Sequence, residues 1–169
     1  MLIILSGLIL IFFICASLDT KSFGIFCQKR IGQYGKYFTI FKLKTINPKT
    51  LEISKTGNFF RSSKLDELPQ LLNIIKGEMS FVGPRPDVEG YYDKLEGENR
   101  KILELKPGLT SLASIKYDQE EELLAKQKNP VQYNDEVIFP DKIKMNLEYY
   151  YNHSFFVDLK IILKTIFRK

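Results

Sequence analysis

Two adjacent carboxylates at the start of an apolar stretch are the side chains of this sequence best suited to chemistry. Asp66 and Glu67 open the segment DELPQLLNIIKG, which ends at Gly77. The pattern predicts a helix with Asp66 as its N-cap, because aspartate accepts hydrogen bonds from the free N–H groups of a first turn. The positive end of a helix also attracts phosphate, and a carboxylate held there can act as a nucleophile in phosphoryl transfer.

Cationic residues surround this pair along the sequence. Arg61 and Lys64 precede it, and the segment Pro84-Arg85-Pro86 follows it. Alone, the two carboxylates would be expected only to cap a helix and to favour its dipole. With these cations the sequence favours a pyrophosphate ligand, whose charges arginine or a metal ion must neutralise. Glu78 and Asp87 are further candidates for a Mg²⁺ shell made mostly of water and phosphate oxygens.

The composition of the chain excludes several common kinds of ligand-binding and catalytic site. The chain has 169 residues, enough for one domain, and its net charge of +5 suits anionic lipid, nucleotides or nucleic acid without choosing among them. It contains no P-loop or dinucleotide-binding glycine fingerprint and no zinc spacing of cysteine and histidine. His153, the single histidine, has no partner motif for a catalytic triad. Cys15 and Cys27 do not form a disulfide framework, which favours a reducing compartment.

Both ends of the chain have the composition of membrane-associated segments. Residues 1–18 contain no charged side chain and would form a helix of roughly 27 Å, just short of a ~30 Å hydrocarbon core. A short spanning helix, a re-entrant or interfacial segment bent at Ser6-Gly7, and a buried core helix all remain open. Residues 153–169 predict a basic amphipathic interfacial helix with Lys160, Lys164 and Arg168 on one face, the alternative being an ordinary packed surface helix.

Residues 19–152, between these ends, are predicted to form the catalytic domain. Two β-like stretches, 23–30 and 37–45, flank glycines and predict a hairpin. Lys42 and Lys44 share one face of its second strand, which is either a solvated edge or a cationic strip. Helices are expected at 93–105, 120–128 and 142–151, with 131–140 irregular. The fold class predicted is α/β (α+β), predominantly helical with a small β-hairpin.

These motifs together resemble the bacterial sugar transferases, specifically the small stand-alone type of monotopic phosphoglycosyl transferase. The segment LDELPQL at 65–71, combined with GEMSFVGPRP at 77–86, is far more specific than any single short motif. The similarity continues through QKRIG at 28–32 and KPGLT at 106–110, so it runs over nearly the whole chain.

The resemblance implies a reaction and a role for each matching residue. Such enzymes transfer a sugar phosphate from a UDP-sugar to undecaprenyl phosphate through a covalent aspartyl-phosphosugar, releasing UMP, as the first membrane step of bacterial glycan assembly. Asp66 would be the catalytic nucleophile, and Glu67 its catalytic acidic partner and ligand of Mg²⁺. Substrate binding would fall to the flanking residues, namely Arg61, Lys64, Pro84, Arg85 and Pro86.

The resemblance also implies a location and partners. The family folds as a small α/β unit with a re-entrant membrane helix and interfacial amphipathic helices, on the cytoplasmic face of the bacterial inner membrane. The expected partners are the UDP-sugar, undecaprenyl phosphate, the membrane and other glycan-assembly enzymes, with no nucleic acid. The alternative function is a non-catalytic membrane-anchored binding or scaffolding protein.

Three features depart from the family pattern. Only a few residues precede Ser6-Gly7, and Gly7 stands where proline is usual, which leaves open a truncated start or a different anchor. Lys44 replaces a usual arginine and loses its bidentate fork. Residues 111–117 also differ, so no sugar specificity is transferred to this chain.

Overall fold

The computed structural model describes residues 2–167, with nothing described of the side chains of residues 2–6. The chain divides into two compact units. The first contains the residues up to Arg30 and Phe38–Gly77, and the second contains Ile31–Tyr37 and the residues from Glu78 onward. The predicted division at residues 18 and 152 stays a prediction.

The first unit begins with helix α1, Leu2–Thr20. Strands β1, Ile25–Ile31, and β2, Tyr37–Leu43, pair as the predicted antiparallel hairpin, whose turn belongs to the second unit. Helix α2, Lys55–Ser62, a 3₁₀ helix, Leu65–Gln70, and helix α3, Leu71–Ile75, follow. The backbone of α1 is helical without interruption through Ser6 and Gly7, so the structure shows no break there.

One face of α1, whose side chains up to Leu18 are uncharged, contributes to the core of the first unit. Ala16 of α1 is buried with Leu43 and Phe60, and Phe12 meets Phe60 edge-on with ring centroids 5.6 Å apart. The other face of α1 is solvent-exposed, as Leu18 shows with 73% of its surface accessible. Among residues 2–167, no helix combines the length and the apolar content that crossing a bilayer requires.

The second unit contains a small parallel sheet that the sequence did not predict. Strands β3, Ser80–Val82, and β4, Gly108–Thr110, pair with Ser80 opposite Gly108. Strands of three residues are too short for an alternation of apolar and polar residues to predict them from the sequence. The two strands come together because Gly83 and Gly108 lack side chains where their backbones are in contact. The predicted mostly helical fold with a hairpin is otherwise confirmed.

The rest of the second unit is mostly helical. Four segments of it had a predicted structure, which can be compared with the observed one. The single helix expected at 93–105 is instead two 3₁₀ helices, Tyr92–Lys94 and Gly97–Glu104, because Leu95 and Glu96 between them have extended backbone. Gly97, the first residue of the second helix, takes a left-handed φ of 54°. Helices α4, Leu112–Lys116, and α5, Glu120–Ala125, come next, and α5 was expected.

The prediction that residues 131–140 are irregular is wrong. They form helix α6, Pro130–Tyr133, a π-helical turn, Asn134–Ile138, and the start of helix α7, Phe139–Asn152. Pro130 is tolerated because it lies in the first turn of α6, where its missing N–H costs no intrahelical bond, and Pro140 follows directly on the π-helical turn. Helix α7 includes the predicted helix at 142–151.

Helix α8, Phe155–Ile166, packs on the second unit along a narrow line. Ser154 caps it by accepting a hydrogen bond from the Val157 N–H, Ile161 is 1% exposed, and Asp158 accepts a hydrogen bond of 2.6 Å from the Tyr149 hydroxyl. A stripe of large apolar side chains stays exposed, namely Phe155, Phe156, Leu159, Leu163 and Ile166. Lys160 and Lys164 are exposed as well, whereas Arg168 lies outside the described residues.

The core of the second unit forms where its 3₁₀ segments meet α7. Its buried members are Ile31, Tyr92, Leu95, Ile102, Leu103 and Ile143. The Tyr92 hydroxyl is satisfied inside this core by the Asn146 amide, which donates to it at 2.9 Å.

Candidate active site

The 3₁₀ helix Leu65–Gln70 positions the two predicted carboxylates. Its N-cap is Lys64, which takes the left-handed conformation (φ 57°, ψ 18°) and makes no capping hydrogen bond through its side chain. The Lys64 N–H bonds to the Arg61 carbonyl, so the chain reverses there and the helix begins two residues earlier than expected. The prediction that Asp66 is the N-cap is therefore wrong, since Asp66 lies inside the first turn.

The Asp66 carboxylate is desolvated and incompletely hydrogen-bonded. Its Oδ1 atom is buried and has no hydrogen-bond partner within residues 2–167. Burial raises the pKa of this carboxyl group, and the charge of Glu67 raises it further. Lys42, Lys64 and Arg61 oppose the rise, because each positive charge favours the ionised form. The site therefore combines a poorly solvated anion with three nearby cations.

Glu67 is more deeply buried than its neighbour and is paired with a lysine. Its Oε1 atom accepts a hydrogen bond of 2.9 Å from Lys42 Nζ, and the two side chains are 9% and 19% exposed. The sequence left open whether Lys42 belongs to a solvated edge of β2 or to a cationic strip. In the structure its side chain bonds to Glu67. Removing one partner of such a desolvated pair would leave a buried charge uncompensated.

Two further cations of the first unit are held by hydroxyl groups. Arg61, near the end of α2, donates from Nε to Thr45 Oγ1 at 3.0 Å. Lys44 donates from Nζ to Ser22 Oγ at 3.2 Å. The structure thus brings Arg61 and Lys64 into the same unit and the same electrostatic surroundings as the carboxylate pair.

The face that this segment buries is polar. Glu67, Gln70 and Asn73 recur at intervals of three and are buried, whereas the apolar Leu72 and Ile75 are 47% and 64% exposed. Asn73 faces β2, where its Nδ2 donates to the Thr39 carbonyl at 2.7 Å and its Oδ1 accepts from the Phe41 N–H at 3.4 Å. The carboxylates are consequently held against the hairpin by polar contacts.

The predicted nucleotide-binding segment belongs to the second unit. Pro84 and Pro86 are buried, while Arg85 between them is exposed. The backbone is fixed on both sides, because the Pro84 carbonyl accepts from the Gly108 N–H and the Asp87 carbonyl accepts from the Ile31 N–H, each at 2.9 Å. This arrangement presents Arg85 on the surface of that unit. Glu78 and Asp87, the additional acidic candidates, also lie in the second unit.

The acidic side chains can be tested as a magnesium site. Within the described part of the chain, no group of three or more acidic, histidine or cysteine residues is arranged to hold a metal ion. Mg²⁺ nevertheless needs one or two carboxylates when substrate phosphates and water complete its shell. Asp66 and Glu67 fit that requirement in type and number, and Oδ1 of Asp66 accepts no hydrogen bond from the described part of the chain.

His153 takes no part in the site. It is exposed, its Nδ1 lies 2.7 Å from the Tyr150 carbonyl oxygen, and its ring contacts Tyr149. These contacts fit a structural role at the end of α7.

Three buried or bonded side chains near the carboxylates were not predicted from the sequence: Gln70, Lys42 with its bond to Glu67, and Thr45 with its bond to Arg61. The period-two placement of Lys42 and Lys44 was the signal for the first lysine. The three-residue interval from Glu67 to Gln70 would have revealed the glutamine only if the segment had been recognised as 3₁₀, in which residues three apart eclipse one another.

A partly buried carboxylate among nearby cations on a small, mostly helical scaffold is typical of proteins that bind anionic groups. The chain belongs to the bacterial sugar transferase family, whose description matches residues 1–169. The family predicted from the sequence is thereby confirmed, and membership places the chain among phosphoglycosyl transferase enzymes, as expected.

Three relatives illustrate the similarity. The uncharacterised sugar transferase EpsL of Bacillus subtilis (strain 168) is 34% identical over 83% of this chain and 67% of its own length. The galactosyl transferase CpsE of Streptococcus agalactiae serotype III (strain NEM316) is 27% identical over 97% of this chain and 38% of its own. The UDP-glucose:undecaprenyl-phosphate glucose-1-phosphate transferase of Klebsiella pneumoniae is 31% identical over 99% of this chain and 37% of its own length. The chain therefore spans well under half of the latter two proteins.

Proposed function

We propose that this chain transfers a sugar phosphate from a UDP-sugar to undecaprenyl phosphate, with Asp66 as the nucleophile. The observation that carries the proposal is the Asp66 carboxylate itself. It is desolvated, its Oδ1 has no hydrogen bond from the described residues, and it lies among Lys42, Lys64 and Arg61. Poor solvation makes a carboxylate a better nucleophile, and the cations attract a diphosphate. The Klebsiella relative's name describes this type of reaction with glucose as the sugar.

The reaction proceeds in two balanced displacements. A carboxylate oxygen of Asp66 attacks the β-phosphorus of the UDP-sugar, the bond from that phosphorus to the bridging oxygen breaks, and UMP leaves with the electron pair. An oxygen of undecaprenyl phosphate then attacks the same phosphorus. The bond to Asp66 breaks, which restores the carboxylate and yields undecaprenyl diphosphate linked to the sugar.

The surrounding residues have supporting roles in this proposal. Arg61 and Lys64 neutralise the phosphates, and Arg85, presented between its two buried prolines, binds the nucleotide. Glu67 and Asp66 would hold Mg²⁺, which when bound supplies positive charge to the phosphate oxygens. Glu67 also fixes Lys42 near the nucleophile through their 2.9 Å ion pair.

The lipid acceptor requires the chain to work at a membrane surface. The exposed apolar stripe of α8, together with Lys160 and Lys164, has the composition of a helix that lies in the headgroup region. We place the protein on the cytoplasmic face of the bacterial inner membrane, where UDP-sugars are available. Its proposed role is to catalyse the first membrane step in the assembly of a bacterial glycan, together with other assembly enzymes.

The test is the Asp66→Asn substitution, which keeps the shape of the side chain and removes its nucleophilicity. UMP release from a panel of UDP-sugars with undecaprenyl phosphate should fall by at least about a thousandfold, the scale seen when a nucleophile is removed. The wild-type protein, trapped with donor alone, should carry a sugar phosphate on Asp66 in peptide mass spectra. Turnover by Asp66→Asn close to wild type would refute the proposal, as would wild-type protein that binds UDP-sugar without releasing UMP.

A further inference from the structure

Gln70 has a buried side-chain amide whose nitrogen makes no hydrogen bond with residues 2–167. The residue is 3% exposed, and its Nε2 atom bonds to nothing within the portion of the chain that is described. A buried amide nitrogen without a hydrogen bond is destabilising relative to one that is bonded or solvated. An acceptor present in another state of the site would satisfy this donor.

The position of Gln70 indicates which acceptor that is. Gln70 follows Glu67 by three residues in a 3₁₀ helix, and in such a helix side chains three apart eclipse one another. Glu67, Gln70 and Asn73 form one buried row along β2. At one end Lys42 bonds to Glu67, and at the other Asn73 bonds to the backbone of Thr39 and Phe41. Gln70 lies between two anchored neighbours, and Glu67 is the ionisable one.

Its burial excludes a direct role in substrate binding. Nε2 is covered by protein, so a phosphate group could not reach it without rearrangement of the core. The amide therefore has to act through a neighbouring residue. Hydrogen bonds between catalytic groups are commonly loose without substrate and tighten in the loaded complex.

We propose that Gln70 is a positioning residue, which donates a hydrogen bond from Nε2 to the Glu67 carboxylate when the site holds its nucleotide-sugar. This inference rests on the proposed function and deepens it. With Lys42 on one side and Gln70 on the other, Glu67 is fixed in one orientation beside Asp66. Residues that orient a ligand-binding carboxylate in this way typically contribute about 10–100-fold to metal affinity or activity.

The decisive variant is Gln70→Met, which keeps length and burial but removes the amide. Because an unsatisfied donor disappears, its melting temperature should equal or exceed that of the wild type. Its kcat should fall by about 10–100-fold, with KM for UDP-glucose changed by less than about threefold. Asn73→Leu, which removes satisfied hydrogen bonds from the same row, should by contrast lower the melting temperature. Gln132→Met, at an exposed glutamine, should change neither quantity.

Several results would overturn the inference. One is a kcat for Gln70→Met within twofold of wild type, and another is a melting temperature that falls as in Asn73→Leu with normal activity per folded molecule. If Gln70→Met does not fold, NMR of the wild-type chain decides: the Gln70 side-chain N–H signals should move downfield on addition of UDP-glucose and Mg²⁺, and unmoved signals would refute the proposal. Asp66→Asn separates the two ideas. If it is inactive while Gln70→Met is normal, only the role of Gln70 fails.

Discussion

At the residue scale, burial and ion pairing distinguish the two adjacent carboxylates of the candidate site. Asp66 and Glu67 are adjacent, yet the structure gives them different surroundings. Glu67 is paired with Lys42 at 2.9 Å, whereas Oδ1 of Asp66 is buried without a hydrogen bond from residues 2–167. The ion pair holds Glu67 in place, while the carboxylate of Asp66 is the less stabilised by hydrogen bonds of the two.

The raised pKa of Asp66 predicts a specific dependence of stability on pH. Because the folded-state pKa lies above the unfolded value, folding favours the protonated form, so the stability from this group is present below the unfolded pKa and is lost as pH rises through the folded one. Asp66→Asn, which cannot ionise, should therefore be more stable than wild type at pH 7.

Thermal unfolding between pH 4 and pH 8 measures this effect. The melting temperature of Asp66→Asn should exceed that of wild type by a few degrees at neutral pH, and the difference should shrink toward the acid end of the range. Glu121→Gln is the matched control, because it removes one exposed carboxylate from α5 and should show no such trend. A wild-type protein that is the more stable of the two at pH 7 would contradict the prediction.

At the element scale, short segments rather than long helices position the candidate groups. The six-residue 3₁₀ helix Leu65–Gln70 holds the carboxylates, and the three-residue strands β3 and β4 fix the segment that presents Arg85. The Gly108 N–H bonds to the Pro84 carbonyl, so the position of the second strand is linked directly to that of the arginine.

Gly108→Ala should break this arrangement. A Cβ atom at Gly108 would overlap the backbone of Gly83, and backbone cannot move aside cheaply. The substitution should cost about 2 kcal/mol or more of unfolding free energy, as overpacking of a tight contact does. Gly90→Ala is an informative comparison, because a Cβ there meets open space and only its φ of 107° is strained.

Urea unfolding of both variants provides the measurement. In Gly108→Ala, binding of UDP should weaken along with stability if Arg85 contacts the nucleotide. Equal losses of stability in Gly108→Ala and Gly90→Ala would show that close backbone contact at β3 and β4 is not what makes Gly108 necessary.

At the scale of the whole molecule, exposed apolar surface accompanies a net charge of +5. Phe155 and Phe156 at the start of α8 are 75% and 79% exposed, and Leu18 of α1 is 73% exposed. Such surface is costly in water and is typical of proteins that meet a partner or a lipid. The basic excess favours an anionic surface.

Binding to lipid vesicles tests this interpretation. The double variant Phe155→Ser and Phe156→Ser should bind phosphatidylglycerol-containing vesicles at least about tenfold more weakly than wild type, because burying each ring in the interface contributes about 1.5–3 kcal/mol. Val131→Ser is the control, since it removes an exposed apolar side chain from α6 rather than from α8. Co-sedimentation with vesicles measures the affinity, and an unchanged affinity of the double variant would exclude α8 as a membrane contact.

The sequence by itself determined the family, the hairpin, the helices at α5, α7 and α8, and the residues most suited to phosphate chemistry. These features depend on local patterns and on residue types, such as the LDELPQL segment, the alternation in β2 and the helical spacing of apolar residues in α8. A local pattern is visible along the chain because the residues that produce it are neighbours.

Only the tertiary structure decided how deeply each of these groups is buried and which groups it contacts. It moved Asp66 from a cap into the first turn, paired Glu67 with a lysine 25 residues away, buried the amide of Gln70 and assembled a parallel sheet from two three-residue strands. The physical reason is that desolvation, ion pairing and close backbone contact arise between segments that are distant in sequence. Their strength depends on burial and on distances of a few ångströms, which the order of residues alone does not specify.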